Sequence, residues 1–219
     1  MGTRLEARLR GVLASIPAPG ANGTRAEKKN YTEALSSQVT EALADAFREA
    51  GLPGVRAPRG RDKQFMGGYG TKGVDAYLSD EKHGLLLSSG TKGLLYDVPK
   101  NLKNRYRDMV MEALELHKRF PYAVCGHLLF LGKSEADRTS KAFGTVLGEA
   151  VALLQGISGR TRPDEPPELY EVVGVTLLDP GEPESLDLYP SGVPEALQGG
   201  RYVDRMVRRF RVRTPFYRP

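Results

Sequence analysis

Residues 122 to 131 read Tyr-Ala-Val-Cys-Gly-His-Leu-Leu-Phe-Leu, an apolar run almost without polar interruption. A strand with one wet face alternates polar and apolar side chains, so a run without alternation suits a strand covered on both faces. The run is far shorter than the roughly 18 residues a membrane-crossing helix needs. This segment asks for a sheet between helical layers, and its neighbours can supply them. Residues 102 to 118 place Tyr106, Met109, Val110, Ala113, Leu114 and His117 on one helical stripe, with Pro121 just beyond. Residues 135 to 155 do the same with Phe143, Val146, Leu147, Ala150, Val151 and Leu154.

The rest of the chain fits the same plan. Residues 3 to 16 predict a short helix with Thr3 and Glu6 at capping-box spacing. Residues 32 to 50 predict a longer one, capped by Thr32 and stopped by Gly51 and Pro53. Residues 54 to 73 read as a Gly-, Arg- and Pro-rich loop, and residues 74 to 80 and 85 to 92 as two strands of a hairpin. A further strand is expected over 169 to 178 and a basic helix over 202 to 211. The order α-β-β-α-β-α-β implies an α/β fold with a mixed central sheet. With 219 residues the chain is expected to form a single domain, its core at about 32–155 and a basic C-terminal extension at about 201–219. Its one cysteine, Cys125, excludes an internal disulfide framework and a multi-cysteine zinc site. The N-terminal segment is interrupted by Arg4, Arg8 and Arg10, so no signal peptide or membrane partner is expected and the location implied is cytoplasmic.

Charge is unevenly spread. The net charge is +5, yet residues 201 to 219 hold seven arginines against Asp204, leaving the remainder near neutral. Arg56, Arg59, Arg61, Lys63 and Lys72 surround a stretch containing Gly67, Gly68, Gly70 and Gly73, while residues 164 to 187 contain eight acids and no base. Such asymmetry fits one basic face for a polyanion, or equally a solvated basic helix.

The hairpin has one register that keeps apolar residues together. With an even loop, Asp75 falls opposite Gly90, and Val74, Ala76, Leu78, Leu85, Leu87 and Ser89 share a face. The other face then carries Asp75, Tyr77, Ser79, Leu86, Ser88, Gly90 and Lys92, bringing a carboxylate and an ammonium to one end; a slip of one residue would part them. Asp75 is a hard oxygen ligand suited to Mg²⁺. Lys92 could orient a water or offset charge developing on phosphorus. A plain cross-strand ion pair would look the same.

Asp75, a hairpin, Lys92 at the end of the next strand, then a helix and a buried strand together resemble the PD-(D/E)xK nuclease superfamily over about residues 32 to 155. The stretches Lys100 to Arg105 and Leu116 to Val124 also look like restriction-endonuclease-like proteins. The resemblance implies a restriction-endonuclease-like αβββαβ core and Mg²⁺-dependent cleavage of DNA, with Mn²⁺ able to substitute, as in type II restriction or another defence nuclease. Asp75 would bind the metal, Lys92 would be the motif lysine, and the Thr91 carbonyl would be a second ligand. A homodimer or a defence-complex partner would fit such an enzyme. Two departures stand out. Val74 replaces the motif proline, and Gly90 occupies the acidic position. Glu33, Glu41, Asp108 and Glu112 on flanking helices are candidates for the missing carboxylate, Glycine at 90 leaving room for a longer side chain to reach in. Otherwise the chain is a catalytically inactive module that binds DNA or forms complexes.

Lys100, Lys103, Asn104 and Arg105 fall near a helix N-terminus, where backbone N–H groups favour phosphate, with Asn101 as a possible N-cap. With Lys72, Arg205, Arg208 and Arg209 they are the candidate nucleic-acid contacts. The glycine-rich stretch reads as a loop tracking a DNA backbone or as a simple connector; it lacks the P-loop pattern. His117 and His127 read as satisfied core residues, His83 as a turn residue and Cys125 as an inert packing thiol.

Overall fold

The computed structural model describes residues 2–20, 22–58 and 63–217. In chain order the helices are α1 (Gly2–Ser15), α2 (Arg25–Glu49), α3 (Val98–Arg119), α4 (Lys133–Ala136), α5 (Val146–Gln155) and α6 (Tyr202–Arg213). The strands are β1 (Lys63–Met66), β2 (Thr71–Val74), β3 (Ala76–Asp80), β4 (Gly84–Leu94), β5 (Val124–Gly132), β6 (Thr139–Ser140), β7 (Gly144–Thr145), β8 (Val172–Asp179) and β9 (Glu182–Asp187). The central sheet is mixed, in the order β3-β4-β5-β8-β9, with β4, β5 and β8 parallel and both edges antiparallel.

The apolar run that demanded two cover layers has them. Every residue of β5 is buried. Val124, Leu128 and Phe130 pack into a core with α1, α2 and α6, whereas Cys125, Leu129 and Leu131 pack into a second core with α3 and α5. No helix among the described residues is long and apolar enough to cross a membrane.

Several elements differ from the sequence reading. Helix α2 starts a full two turns early, because Thr24 and Glu27 form a reciprocal capping box; Thr32 is interior, its hydroxyl donating to the Lys28 carbonyl. Helix α1 starts at Gly2, which puts Thr3 inside it. The expected 135–155 helix is broken into α4, the short β6–β7 ladder and α5. Gly144 adopts φ +75° and Thr145 caps α5 through the Gly148 N–H, leaving Phe143 exposed. The stretch read as a loop contains the β1–β2 hairpin. The acidic stretch includes an unexpected edge strand, β9, where Arg10 of α1 pairs with Glu184 at 3.2 Å. Arg59, Arg61 and Arg218 lie outside the described residues.

The hairpin register holds where it matters and shifts at the far end. Ala76 pairs with Ser89, Tyr77 with Ser88 and Leu78 with Leu87, as expected. Beyond Leu78 a bulge moves the pairing to Ser79–Leu85 and Asp80–Gly84, so the loop is the odd-numbered Glu81-Lys82-His83. The extra residue is Leu86. It joins the core of Ala76 and Leu87, while Leu85 and Val74 turn to the side of Tyr77. The face read as polar is covered as well. Tyr77 and Ser88 are buried beneath the layer formed by α3 and the β1–β2 hairpin.

Candidate active site

Asp75 sits at the break between β2 and β3, one residue beyond the last ladder pair and so opposite Gly90. Its Oδ2 accepts the Thr91 N–H at 2.7 Å and the Thr91 hydroxyl at 3.2 Å. The Thr91 hydroxyl also lies 3.0 Å from that of Thr40, tying the end of β4 to α2. Burial pushes the Asp75 carboxyl above the ordinary aspartate value, outweighing the Thr91 N–H and the Lys92 ammonium that pull it down. Lys92, next on β4, acts electrostatically on both Asp75 and Glu112.

Glu112 comes from α3, which covers the face of the sheet opposite α2. Gly90 pairs in register with His127 of β5. A β-carbon built at Gly90 would stand 2.6 Å from His127 Nδ1 and 2.9 Å from Glu112 Oε1. The space a side chain at position 90 would enter is therefore taken by the carboxylate of Glu112 and the imidazole beneath it. Burial works against the charged Glu112 carboxylate, but His127, Lys92 and Lys72 outweigh it and hold its pKa below the ordinary glutamate value. His127 is not the satisfied core residue expected. Its side chain is 0% exposed, and neither ring nitrogen has a hydrogen-bond partner among the described residues.

Asp75, Thr91, Lys92 and Gly93 open onto a cleft of about 470 Å³ whose other wall is α2, through Thr32, Glu33, Ser36, Ser37 and Thr40. Arg105 of α3 closes one end and also lines a neighbouring cleft of about 530 Å³, shared through Thr32, Glu33 and Gly93. That second cleft carries Arg25, Lys28 and Lys29 from the start of α2, with the Lys28 ammonium 5.4 Å from the ring centre of Tyr96. A helix begun at Thr32 leaves these three cations outside it; the Thr24-x-x-Glu27 capping pattern is the sequence signal that places them on its first turns. Glu33 lies on the rim, paired with Lys29 at 3.6 Å. Asp108 is exposed and paired with Arg105 at 3.1 Å, and Glu41 faces a different cleft beside Arg8.

Other expected contacts are placed differently. The glycine-rich turn holds an anion already, but an internal one. Buried Glu115 of α3 accepts the Tyr69 N–H at 2.6 Å and the Gly70 N–H at 3.2 Å, pinning the hairpin to the helix. The N-terminus of α3 is likewise taken, its Val98 N–H bonding Glu135 at 3.1 Å; Asp97 is the N-cap and Asn101 lies within the first turn, donating to the Asp97 carbonyl. Lys100, Lys103 and Asn104 are exposed on the early turns of α3. Asn104 lines the second cleft, and Lys103 pairs with Glu149 at 3.6 Å. Helix α6 packs against β5, β8 and α2, on the opposite side of the sheet from α3, and Arg205, Arg208 and Arg209 line neither cleft. Two arginines of this helix are structural, Arg211 donating to the Ala50 carbonyl and Arg213 pairing with buried Glu171 at 3.2 Å.

Glu171 centres a separate buried cluster. His117, Cys125 and Glu171 bring ligand-type atoms within 4.8 Å of one another, a spacing that could hold a metal. Their bonds favour an ionic lock. His117 Nδ1 faces the Pro167 carbonyl at 2.9 Å and Nε2 faces Glu171 at 3.1 Å, so both nitrogens meet acceptors and both carry protons. Glu171 also accepts from Arg160 at 2.7 Å and from the Cys125 N–H at 2.8 Å. Burial pushes the Cys125 thiol above its ordinary value, as suits a packing residue.

No family model, curated protein or solved structure matches this chain.

Proposed function

We propose that the chain is a metal-dependent endonuclease hydrolysing DNA phosphodiester bonds, with a restriction-endonuclease-like core. Counting β2 and β3 as one strand bent at Asp75, the chain order α2, β1, β2/β3, β4, α3, β5 is compatible with the αβββαβ order of that core, although β1 and β2 form a two-stranded sheet of their own. The observation that carries the reading is that Asp75, Lys92 and Glu112 lie near enough at the end of the β3–β4 ladder to act on one another's charge, with Asp75 and Lys92 lining a cleft that Arg105 also lines. In this reading Glu112 of α3, whose carboxylate occupies the space left by Gly90, stands in for the missing motif acid.

The two carboxylates are oxygen donors of the type a hard divalent cation takes. Asp75 and Glu112 are the carboxylates, one held by a single N–H and a hydroxyl, the other close to Lys92 and Lys72. With the Thr91 carbonyl they would hold Mg²⁺ or Mn²⁺. When bound, such an ion polarises the scissile phosphate and favours in-line attack. Lys92 positions the attacking water and offsets negative charge on phosphorus, while Thr91 fixes the Asp75 carboxylate. Arg105, Lys28 and Arg25 hold flanking phosphates along the joined clefts.

The test is cleavage of supercoiled and linear DNA with Mg²⁺ or Mn²⁺, comparing the natural chain with Asp75→Ala and Lys92→Ala. Metal-dependent cutting lost in both variants is expected. Failure of the natural chain to cut across diverse sequences, with salt-sensitive DNA binding intact, would replace this reading with a non-catalytic DNA-binding module.

A further inference from the structure

The imidazole of His127 is sealed in the sheet interior without a hydrogen-bond partner among the described residues, beneath the Glu112 carboxylate of α3. Leaving a buried polar group unpaired is costly, so an orphan of this kind asks for a reason. On one side the ring meets Tyr170 edge-on, centroids 5.8 Å apart, and the Tyr170 hydroxyl is committed to the Met109 carbonyl. On another side Gly90 offers no side chain. The group facing Nδ1 is the Glu112 carboxylate, with Oε1 at 3.9 Å.

We propose that His127 is a positioning residue whose ring N–H draws the Glu112 carboxylate down over Gly90 and holds it where a strand-borne acid would otherwise stand. The proposal rests on reading the cleft as a metal-dependent centre. The present separation is longer than a hydrogen bond. His127 cannot move, being locked between β4, β8 and Tyr170. Glu112 can, because its side chain is 19% exposed. Closing the gap therefore moves the carboxylate, not the imidazole. An outer partner of this kind orients a ligating carboxylate and raises metal affinity. It also gives Gly90 a role, since any β-carbon there would displace one member of the pair.

The experiment uses the full chain and three readouts: Mn²⁺ affinity by titration calorimetry, melting by circular dichroism, and DNA cleavage. His127→Leu keeps apolar bulk and removes the N–H. His127→Asn keeps an N–H near the Nδ1 position. His127→Leu is expected to lose 10- to 100-fold in Mn²⁺ affinity, the range for outer partners of metal ligands, while melting no lower than the natural chain. His127→Asn is expected to stay within about threefold of the natural chain, the mark of a hydrogen bond and not of packing. In a Glu112→Gln background, His127→Leu should change Mn²⁺ affinity no further. The proposal is overturned if His127→Leu binds Mn²⁺ as tightly as the natural chain, if His127→Asn falls as far as His127→Leu, or if the effect persists without the Glu112 charge. If His127→Leu fails to fold, His127→Met takes its place. A natural chain that binds no Mn²⁺ removes the metal-centre reading and this proposal with it, whereas intact binding by both the natural chain and His127→Leu removes this proposal alone.

Discussion

Gly90→Ala adds a single methyl group at the most crowded point of the candidate site. The new carbon would stand 2.6 Å from His127 Nδ1, 2.9 Å from Glu112 Oε1 and 3.0 Å from His127 Cε1. All three fall short of the roughly 3.5–4.0 Å at which such atoms attract. Glu112 can swing outward, but His127 is enclosed, so the strain is not relieved by one flexible side chain. Overpacking of this kind costs about 1–3 kcal/mol. Loss of glycine's backbone freedom in the unfolded chain returns about 0.4–1 kcal/mol. The net expectation is a destabilisation of about 1–2 kcal/mol, or a fall in melting temperature of about 2–8 °C for a chain of this size. The chain has no tryptophan, so far-ultraviolet circular dichroism during heating and urea unfolding is the suitable assay. His127→Ala removes the obstructing ring. In that background Gly90→Ala should become neutral or stabilising, giving a coupling of at least about 1 kcal/mol in the double-mutant cycle. An unchanged melting temperature in Gly90→Ala, or strict additivity in the cycle, would refute the view that His127 and Glu112 jointly hold this space.

Three further outcomes are expected. Asp75→Asn keeps an acceptor for the Thr91 N–H and removes a charge that burial disfavours, so it should melt no lower than the natural chain while calorimetry shows at least a tenfold loss of Mn²⁺ affinity; a large drop in melting temperature would mark Asp75 as structural. Lys28→Ala and Arg105→Ala should each reduce the salt slope of DNA binding by about one, whereas Arg208→Ala, which lines neither cleft, should leave it unchanged, as read by fluorescence anisotropy against salt concentration. Glu171→Gln leaves Arg160, Arg213 and His117 around a neutral group and should cost about 3–5 kcal/mol in denaturant unfolding. Burial raises the Glu171 pKa, but His117, the Cys125 N–H and Arg160 more than offset it and hold it below the ordinary value of 4.5. Its stabilisation is thus complete above that value and lost as pH falls through the lower folded-state pKa, so the gap between the natural chain and Glu171→Gln should narrow in acid.

The candidate site was partly legible in the residues themselves. The run from Tyr122 to Leu131 called for covered faces, and alternate residues of β5 do enter two cores. The pairing Leu78–Leu87 follows from keeping apolar residues together, and that register sets Asp75 opposite Gly90. Periodicity misplaced what local chemistry controls. Phe143 fits a helical stripe, yet Gly144 and the Thr145 cap delay the start of α5 until after it. The glycine-rich turn has the composition of a phosphate loop, yet its N–H groups close on Glu115, a residue forty-five positions beyond Gly70.

The amino-acid order alone determined the layered α/β plan, the hairpin register near Asp75 and the adjacency of Asp75 to Lys92, because burial and a two-residue period act along the chain and can be read from it. Only the tertiary structure decided that α3 brings Glu112 over Gly90, that His127 lies beneath it with no hydrogen-bond partner among the described residues, and that Arg205, Arg208 and Arg209 line neither cleft. Those outcomes depend on how α3 and α6 are laid across the two faces of the sheet. Many sequence-distant contacts set that choice together, and no local pattern encodes it.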